Sequence, residues 1–182
     1  MRIDHIAYRV SDRHKTAEFF IKCFGYRIAE ELPEGFQISF EDNSVADCLV
    51  LLPSEQITGS MPWMTELYFG GEFSKYHLAP EIFISDGTGD SIVGKWVEER
   101  SGTGGIHHIA YHVDDVEKTM REWETKGFAE FATDMPLSCP GLVQVFTKPS
   151  ELTGIIYEFI TRENHGFCKD NVKLLMESTR GF

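Results

Sequence analysis

The chain has 182 residues and a formal net charge of −12, with 42% hydrophobic and 13% aromatic residues, fourteen of them Phe. That is enough apolar material for a buried core and argues against disorder. The acidic excess disfavours nucleic acid and anionic membrane as partners, since both are bound through surplus Lys and Arg.

The elements follow in chain order. Ile3–Val10 alternates as a strand, with Ile3, His5 and Ala7 on one face and Ile6, Tyr8 and Val10 on the other. Ser11 or Asp12 caps a helix whose stripe is Ala17, Phe20, Ile21 and Phe24, and Gly25 stops it. Strand-like runs at Tyr26–Leu32, Phe36–Glu41 and Cys48–Leu52 complete a first βαβββ module over about residues 1–53. Residues 54–105 read as an insertion or linker. It holds an apolar piece at Glu81–Ile84 and a helical piece around Ile92–Glu99, and is expected to form an ordered lid or an extra strand. Gly87-Thr88-Gly89 lacks the pattern of a phosphate loop and reads as a turn.

The second module, about 106–162, repeats the order. Ile106–Val113 is its strand and Asp114 or Asp115 its cap. Val116, Met120 and Trp123 form the helix stripe, Gly127 stops the helix, and strands follow at Phe128–Ala132, Leu142–Thr147 and Gly154–Thr161. A final helix, capped by Asn171, closes the chain as a lid over about 163–182. The fold expected is α+β, a single domain of two βαβββ modules plus a C-terminal helix.

Four cysteines (Cys23, Cys48, Cys139, Cys168) form no C-x-x-C pair. Zinc-ribbon and thioredoxin chemistry are therefore disfavoured, and a reducing cytoplasm is expected. The N-terminus enters a strand without a leader pattern, and no stretch approaches the ~20 apolar residues of a membrane span.

One phrase occurs twice: D-H-I-A-Y-R-V-S-D at Asp4–Asp12 and H-H-I-A-Y-H-V-D-D at His107–Asp115. A repeat at half-chain spacing signals duplicated modules, so His5 and His108 should occupy equivalent places. A lone strand histidine is ordinarily a core residue; duplication turns both equivalents toward one centre. Glu158 sits among aliphatic and aromatic neighbours on the last strand. It is either a carboxylate paired with an arginine, an outward residue of an edge strand, or a metal ligand. With two histidines it would complete a 2-His-1-carboxylate face that leaves positions open on Fe(II). The matching strand of the first module is taken as Cys48–Leu52, which puts an aliphatic residue where Glu158 stands in the second. A fourth ligand is thus missing, and Glu55, beyond Pro53, is a weak substitute. His107 should point away from His108, on the opposite strand face. His112 shares a face with His108 and could stand behind the metal. His14, His77 and His165 read as solvent-facing.

The duplicated modules and the H-I-A repeat resemble the vicinal oxygen chelate superfamily of glyoxalases, epimerases and dioxygenases, whose fold is an open barrel around a metal site. Three motifs of the C-terminal third are similar to the catalytic domain of 4-hydroxyphenylpyruvate dioxygenase: Leu142-Val143-Gln144-Val145-Phe146-Thr147-Lys148-Pro149, Tyr157-Glu158-Phe159-Ile160-Thr161-Arg162, and Gly166-Phe167-Cys168-Lys169-Asp170-Asn171-Val172-Lys173. The resemblance implies Fe(II) on His5, His108 and Glu158, and a substrate pocket lined by Gln144, Phe146, Phe167 and Val172. Val172 replaces the family's aromatic, Cys168 and Asp170 replace two glycines, and Ile92 and Val93 stand where a substrate-directed Gln is placed. The metal site is retained while the aromatic-substrate pocket is altered.

The resulting expectation is a non-haem Fe(II) dioxygenase acting with O2 on a 2-oxo acid or another small oxygen-chelating substrate. A redox-neutral epimerase or glyoxalase-like isomerase using another divalent metal is the first alternative, and a non-catalytic small-molecule binder the second. Whether the chain forms a homodimer stays open.

Overall fold

A computed structural model describes residues 1–53, 79–163 and 166–182. Among them are nine strands: β1 Arg2–Val10, β2 Arg27–Ile28, β3 Phe36–Ser39, β4 Val45–Leu52, β5 Glu81–Gly87, β6 Gly104–His112, β7 Leu137–Cys139, β8 Leu142–Phe146 and β9 Ile156–Arg162. Four helices join them: α1 Arg13–Phe24, α2 Ile92–Glu98, α3 Val116–Thr125 and α4 Lys169–Ser178. The strands form one mixed sheet in the order β2-β4-β5-β1-β6-β9-β8-β7, with β3 also paired to β4. The architecture is α+β, with an open sheet rather than a closed barrel. No described helix is long and apolar enough to cross a membrane.

The caps follow from local chemistry. Asp12 and Asp115, at matching places in the repeat, each accept a backbone N–H from the third residue onward, Lys15 and Lys118, both at 2.9 Å. Each satisfies a donor that the first helical turn leaves unpaired. Gly25 adopts φ +71° behind α1, the left-handed conformation that ends a helix. On α1 only Ala17 is fully buried, and Phe24 is exposed. α4 begins at Lys169 after Cys168, which makes no side-chain cap bond; Asn171 lies buried inside the helix instead of capping it.

Several expected strands are shorter. Tyr26–Leu32 contracts to Arg27–Ile28, and Phe128–Ala132 leaves a single bridge between Phe131 and Thr147. β9 starts at Ile156. The larger departure lies in the presumed insertion. β5 pairs parallel with β1 and antiparallel with β4, so it is an inner strand of the first module. α2 is held by Ser91, whose hydroxyl accepts from the Gly94 N–H, and it buries Ile92, Val93, Trp96 and Val97. Glu55 and His77 fall outside the described residues, as does His165.

The sheet centre explains the repeated phrase. β1 and β6 run antiparallel, with His5 across from Ala110 and Ala7 across from His108. The spacing H-x-A therefore sets each histidine against the small residue of the other copy. Both alanines are buried, and their missing bulk leaves room above the sheet for two imidazoles. Outside this pair, β5 flanks β1 and β9 flanks β6, both in parallel.

Candidate metal centre

Glu158 lies beside Ala110 on β9, so one row across the sheet reads His5, Ala110, Glu158. Their side chains converge. Nε2 of His5 is 3.3 Å from Nε2 of His108, and each is 3.2 Å from Oε2 of Glu158. All three residues are buried, and among the described residues they are the cluster able to hold a metal ion. Oε1 of Glu158 has no hydrogen-bond partner. A buried carboxylate half unsatisfied and two imidazole nitrogens facing one point form a donor set that asks for a cation. Donors at about 2.1 Å from an octahedral ion stand about 3.0 Å apart in cis, close to the observed edges. The residues fit a divalent metal held by two imidazoles and one carboxylate.

The sheet rows also locate the position symmetric to Glu158. Glu158 pairs with the alanine two residues after His108. The equivalent alanine, Ala7, pairs with Phe83 on β5. The sequence expectation placed this position on Cys48–Leu52; the parallel pairing of β5 with β1 moves it to Phe83. An apolar residue does stand there, though a different one, and its ring packs against Phe167 at 5.0 Å.

His107 does not point away from His108. Along the β1–β6 ladder the register passes from Ala7–His108 to Tyr8–Ile106, leaving His107 as an extra residue; Asp4 is skipped in the same way on β1. A bulge disrupts strict alternation and turns two successive side chains toward one face. Asp4 Oδ1 is 2.9 Å from Nδ1 of His5, and Nδ1 of His107 is 2.8 Å from Nδ1 of His108. The residue before each histidine in the repeat therefore grips that histidine's rear nitrogen. Strand alternation alone predicts the reverse, and the bulges are the reason it fails.

Electrostatics divide the cluster. Burial pulls His5 down, but the Glu158 carboxylate and the Asp4 hydrogen bond outweigh it and raise His5 to about 9. For His108 burial prevails over Glu158 and leaves it lowered, and His107 lies well below the usual histidine range through burial and the nearby Arg9 charge. Burial pushes Glu158 up, yet His5 and His108 overcome it and hold it lowered. Asp4 is also opposed by burial but is brought to about 2 by His5 and Arg162. Arg162 reaches Asp4 Oδ1 and Glu81 Oε2, both at 2.8 Å, through Nη2.

Gln144 and Phe146 line the cavity over these residues, as do Phe167 and Val172 from the α4 side. The Phe146 ring centre is 4.6 Å from that of His108, and Phe167 meets His5 edge-on at 5.1 Å. Gln144 is buried with Nε2 unpartnered. His112 does not line this cavity, and His14 is exposed. Sequence reading missed Asp4, His107, Phe83 and Arg9. The D-H and H-H steps of the repeat were the available signal for the first two.

Comparisons with known proteins bear on the family and the fold. Residues 4–137 match the model of the Glyoxalase/Bleomycin resistance protein/Dioxygenase superfamily. Human mitochondrial methylmalonyl-CoA epimerase is 20% identical over 157 residues, 86% of this chain and 72% of that protein. A crystal structure of methylmalonyl-CoA epimerase superposes with TM-score 0.61 at 20% identity, covering 90% of this chain and 97% of the other. A mutant 4-hydroxymandelate synthase from Streptomyces coelicolor superposes with TM-score 0.71 at 18% identity. That match covers 98% of this chain but 53% of the synthase. At these identities the structural likenesses establish the fold alone.

Proposed function

The chain belongs to the glyoxalase/bleomycin resistance protein/dioxygenase superfamily, and from that premise we propose a mononuclear Fe(II) dioxygenase that takes O2 and a small 2-oxo acid or related oxygen-chelating substrate. The observation that carries this reading is Phe83 at the position symmetric to Glu158. Three protein donors face an apolar wall where a four-ligand site would want a Glu or Gln. The 2-His-1-carboxylate set with open positions suits non-haem Fe(II) oxygenases.

When bound, Fe(II) supplies coordination sites for a chelating substrate and redox capacity toward O2. The chain's own residues do the rest. His5, His108 and Glu158 would hold the ion, while Asp4 fixes His5 by accepting from its Nδ1–H. For Nε2 of His108 to offer a lone pair, its proton must sit on Nδ1 and be donated to Nδ1 of His107. Gln144 has a buried amide N–H free to orient a substrate oxygen. Phe146 and Phe167 flank the histidines and exclude water. The cavity is only about 30 Å³, room for a few waters, so Phe167 and α4 must move for a carbon substrate to enter.

The names of the relatives favour a second reading, a redox-neutral epimerase or isomerase in which a divalent metal stabilises an enolate. That chemistry needs a proton-transfer group beside the ligands. Among the described residues lining the cavity, Glu158 is the one carboxylate, and His107 is the imidazole left outside the three-donor set.

The test is anaerobic purification, loading with Fe(II), and O2 uptake over a panel of 2-oxo acids, with His108→Ala as control. In parallel, exchange of substrate C–H for deuterium is followed in D2O. Uptake abolished in the variant supports the dioxygenase. Metal-dependent deuterium exchange with no uptake would replace it by the isomerase, and absence of metal binding would leave a binding protein.

A further inference from the structure

Arg9 is 2% exposed, on the same strand as His5 and Ala7, and lines the same cavity. Its Nη2 donates to Thr179 Oγ1 at 3.2 Å, while Nη1 is buried with no hydrogen-bond partner. No carboxylate among the described residues pairs with it. Burial together with another cation, Arg100, brings Arg9 down to about 9. A buried guanidinium is costly unless it is paired, and the described residues offer this one a hydroxyl and the Trp96 ring, 5.8 Å away.

Two further buried donors on the cavity wall are unfilled as well. Gln144 Nε2 has no acceptor, and neither has Nε2 of His107, which carries its proton once Nδ1 accepts from His108. Away from the Glu158 carboxylate, the unfilled polar groups of the wall are donors, and they select a ligand that brings acceptors. Arg9 lies four residues from His5 along β1, roughly 13 Å at the usual strand rise. Its Nη2 is anchored at Thr179, on the C-terminal side of α4.

We infer that Arg9 is a specificity-determining residue that pairs with a second anionic group on the substrate, which is therefore a dianion such as a 2-oxo diacid. The inference rests on the reading of His5, His108 and Glu158 as the chelating end. The guanidinium takes the distal carboxylate through two parallel N–H bonds, the geometry for which arginine is suited and lysine is not. The α-keto acid end remains for the metal.

The test is calorimetric binding, without oxygen, to the Fe(II)-loaded protein. The probes are 2-oxopentanedioate, 2-oxohexanedioate and the monoacid 2-oxopentanoate, with wild type, Arg9→Gln, Arg9→Lys and His108→Ala. Wild type should hold one diacid at least tenfold tighter than the monoacid. Arg9→Gln should lose that tenfold while changing monoacid binding less than threefold, and Arg9→Lys should retain part of it. The Gln variant, freed of an unpaired buried charge, should melt no lower than wild type. A diacid preference that survives in His108→Ala supports Arg9 while removing the chelation reading. Equal binding of diacids and monoacid by wild type, with both lost in His108→Ala, overturns the role of Arg9 and keeps the metal site. A preference unchanged in Arg9→Gln and Arg9→Lys, or a Gln variant that merely melts lower, also overturns it. Failure of wild type to bind any of the three counts against both.

Discussion

Asp4→Asn removes one charge from the rear of the cluster while keeping the size of the side chain. Asp4 accepts from His5 Nδ1 at 2.9 Å, and from Arg162 through Nη2 at 2.8 Å and Nε at 3.2 Å. Its carboxyl titrates at about 2 instead of 3.8, a difference worth about 2–3 kcal/mol of folding stability at neutral pH. The sign follows from the depressed value. The contribution is complete above pH 3.8 and disappears as pH falls toward 2. In a chain of this length the substitution should lower Tm by about 5–10 °C at pH 7. The gap between wild type and variant should hold down to pH 4 and close below it. Asn can still accept from Nδ1 but no longer strengthens the imidazole electrostatically, so divalent-metal affinity should fall about 10–100-fold. Denaturant unfolding at several pH values and competition with a chromophoric chelator measure the two effects. A variant with unchanged midpoint and metal affinity within twofold of wild type would refute this account of the cluster.

His107→Leu deprives His108 Nδ1 of its acceptor and should weaken metal binding about 10–100-fold, whereas His107→Gln, which can still accept, should recover most of it in the same chelator competition. Gly104→Ala should destabilise by more than about 2 kcal/mol in chemical denaturation. Gly104 has φ +82°, and an added Cβ would lie 2.0 Å from the Arg9 carbonyl oxygen. Phe167→Ala removes the ring that covers His5 and Phe83; stripping of bound metal by excess chelator should accelerate at least tenfold in stopped-flow measurements. Asp115→Ala removes the cap of α3 and should cost about 1 kcal/mol in equilibrium unfolding, with no change in metal affinity.

The sequence by itself determined the duplication and the helices of both modules, narrowed each cap to two adjacent residues, and singled out the three residues that meet at the centre. These are local or periodic facts: a repeated H-x-A, a carboxylate inside an apolar strand, caps fixed by the residues beside them. Residues 81–87 were harder to place, because a short apolar run does not say which strand it joins. Only its parallel pairing with β1 made it the counterpart of β9, and only that made Phe83 the counterpart of Glu158. Alternation likewise assigned His107 to the wrong face, since a bulge depends on how two distant strands register and not on either strand alone. The burial of Arg9 likewise depends on the ends of β1 and α4 enclosing it. Side-chain chemistry, the repeat and the family resemblance thus pointed to the three candidate ligands. Strand register, which exists only between segments far apart in the chain, decided what supports those ligands, what faces them, and which charge the cavity leaves unanswered.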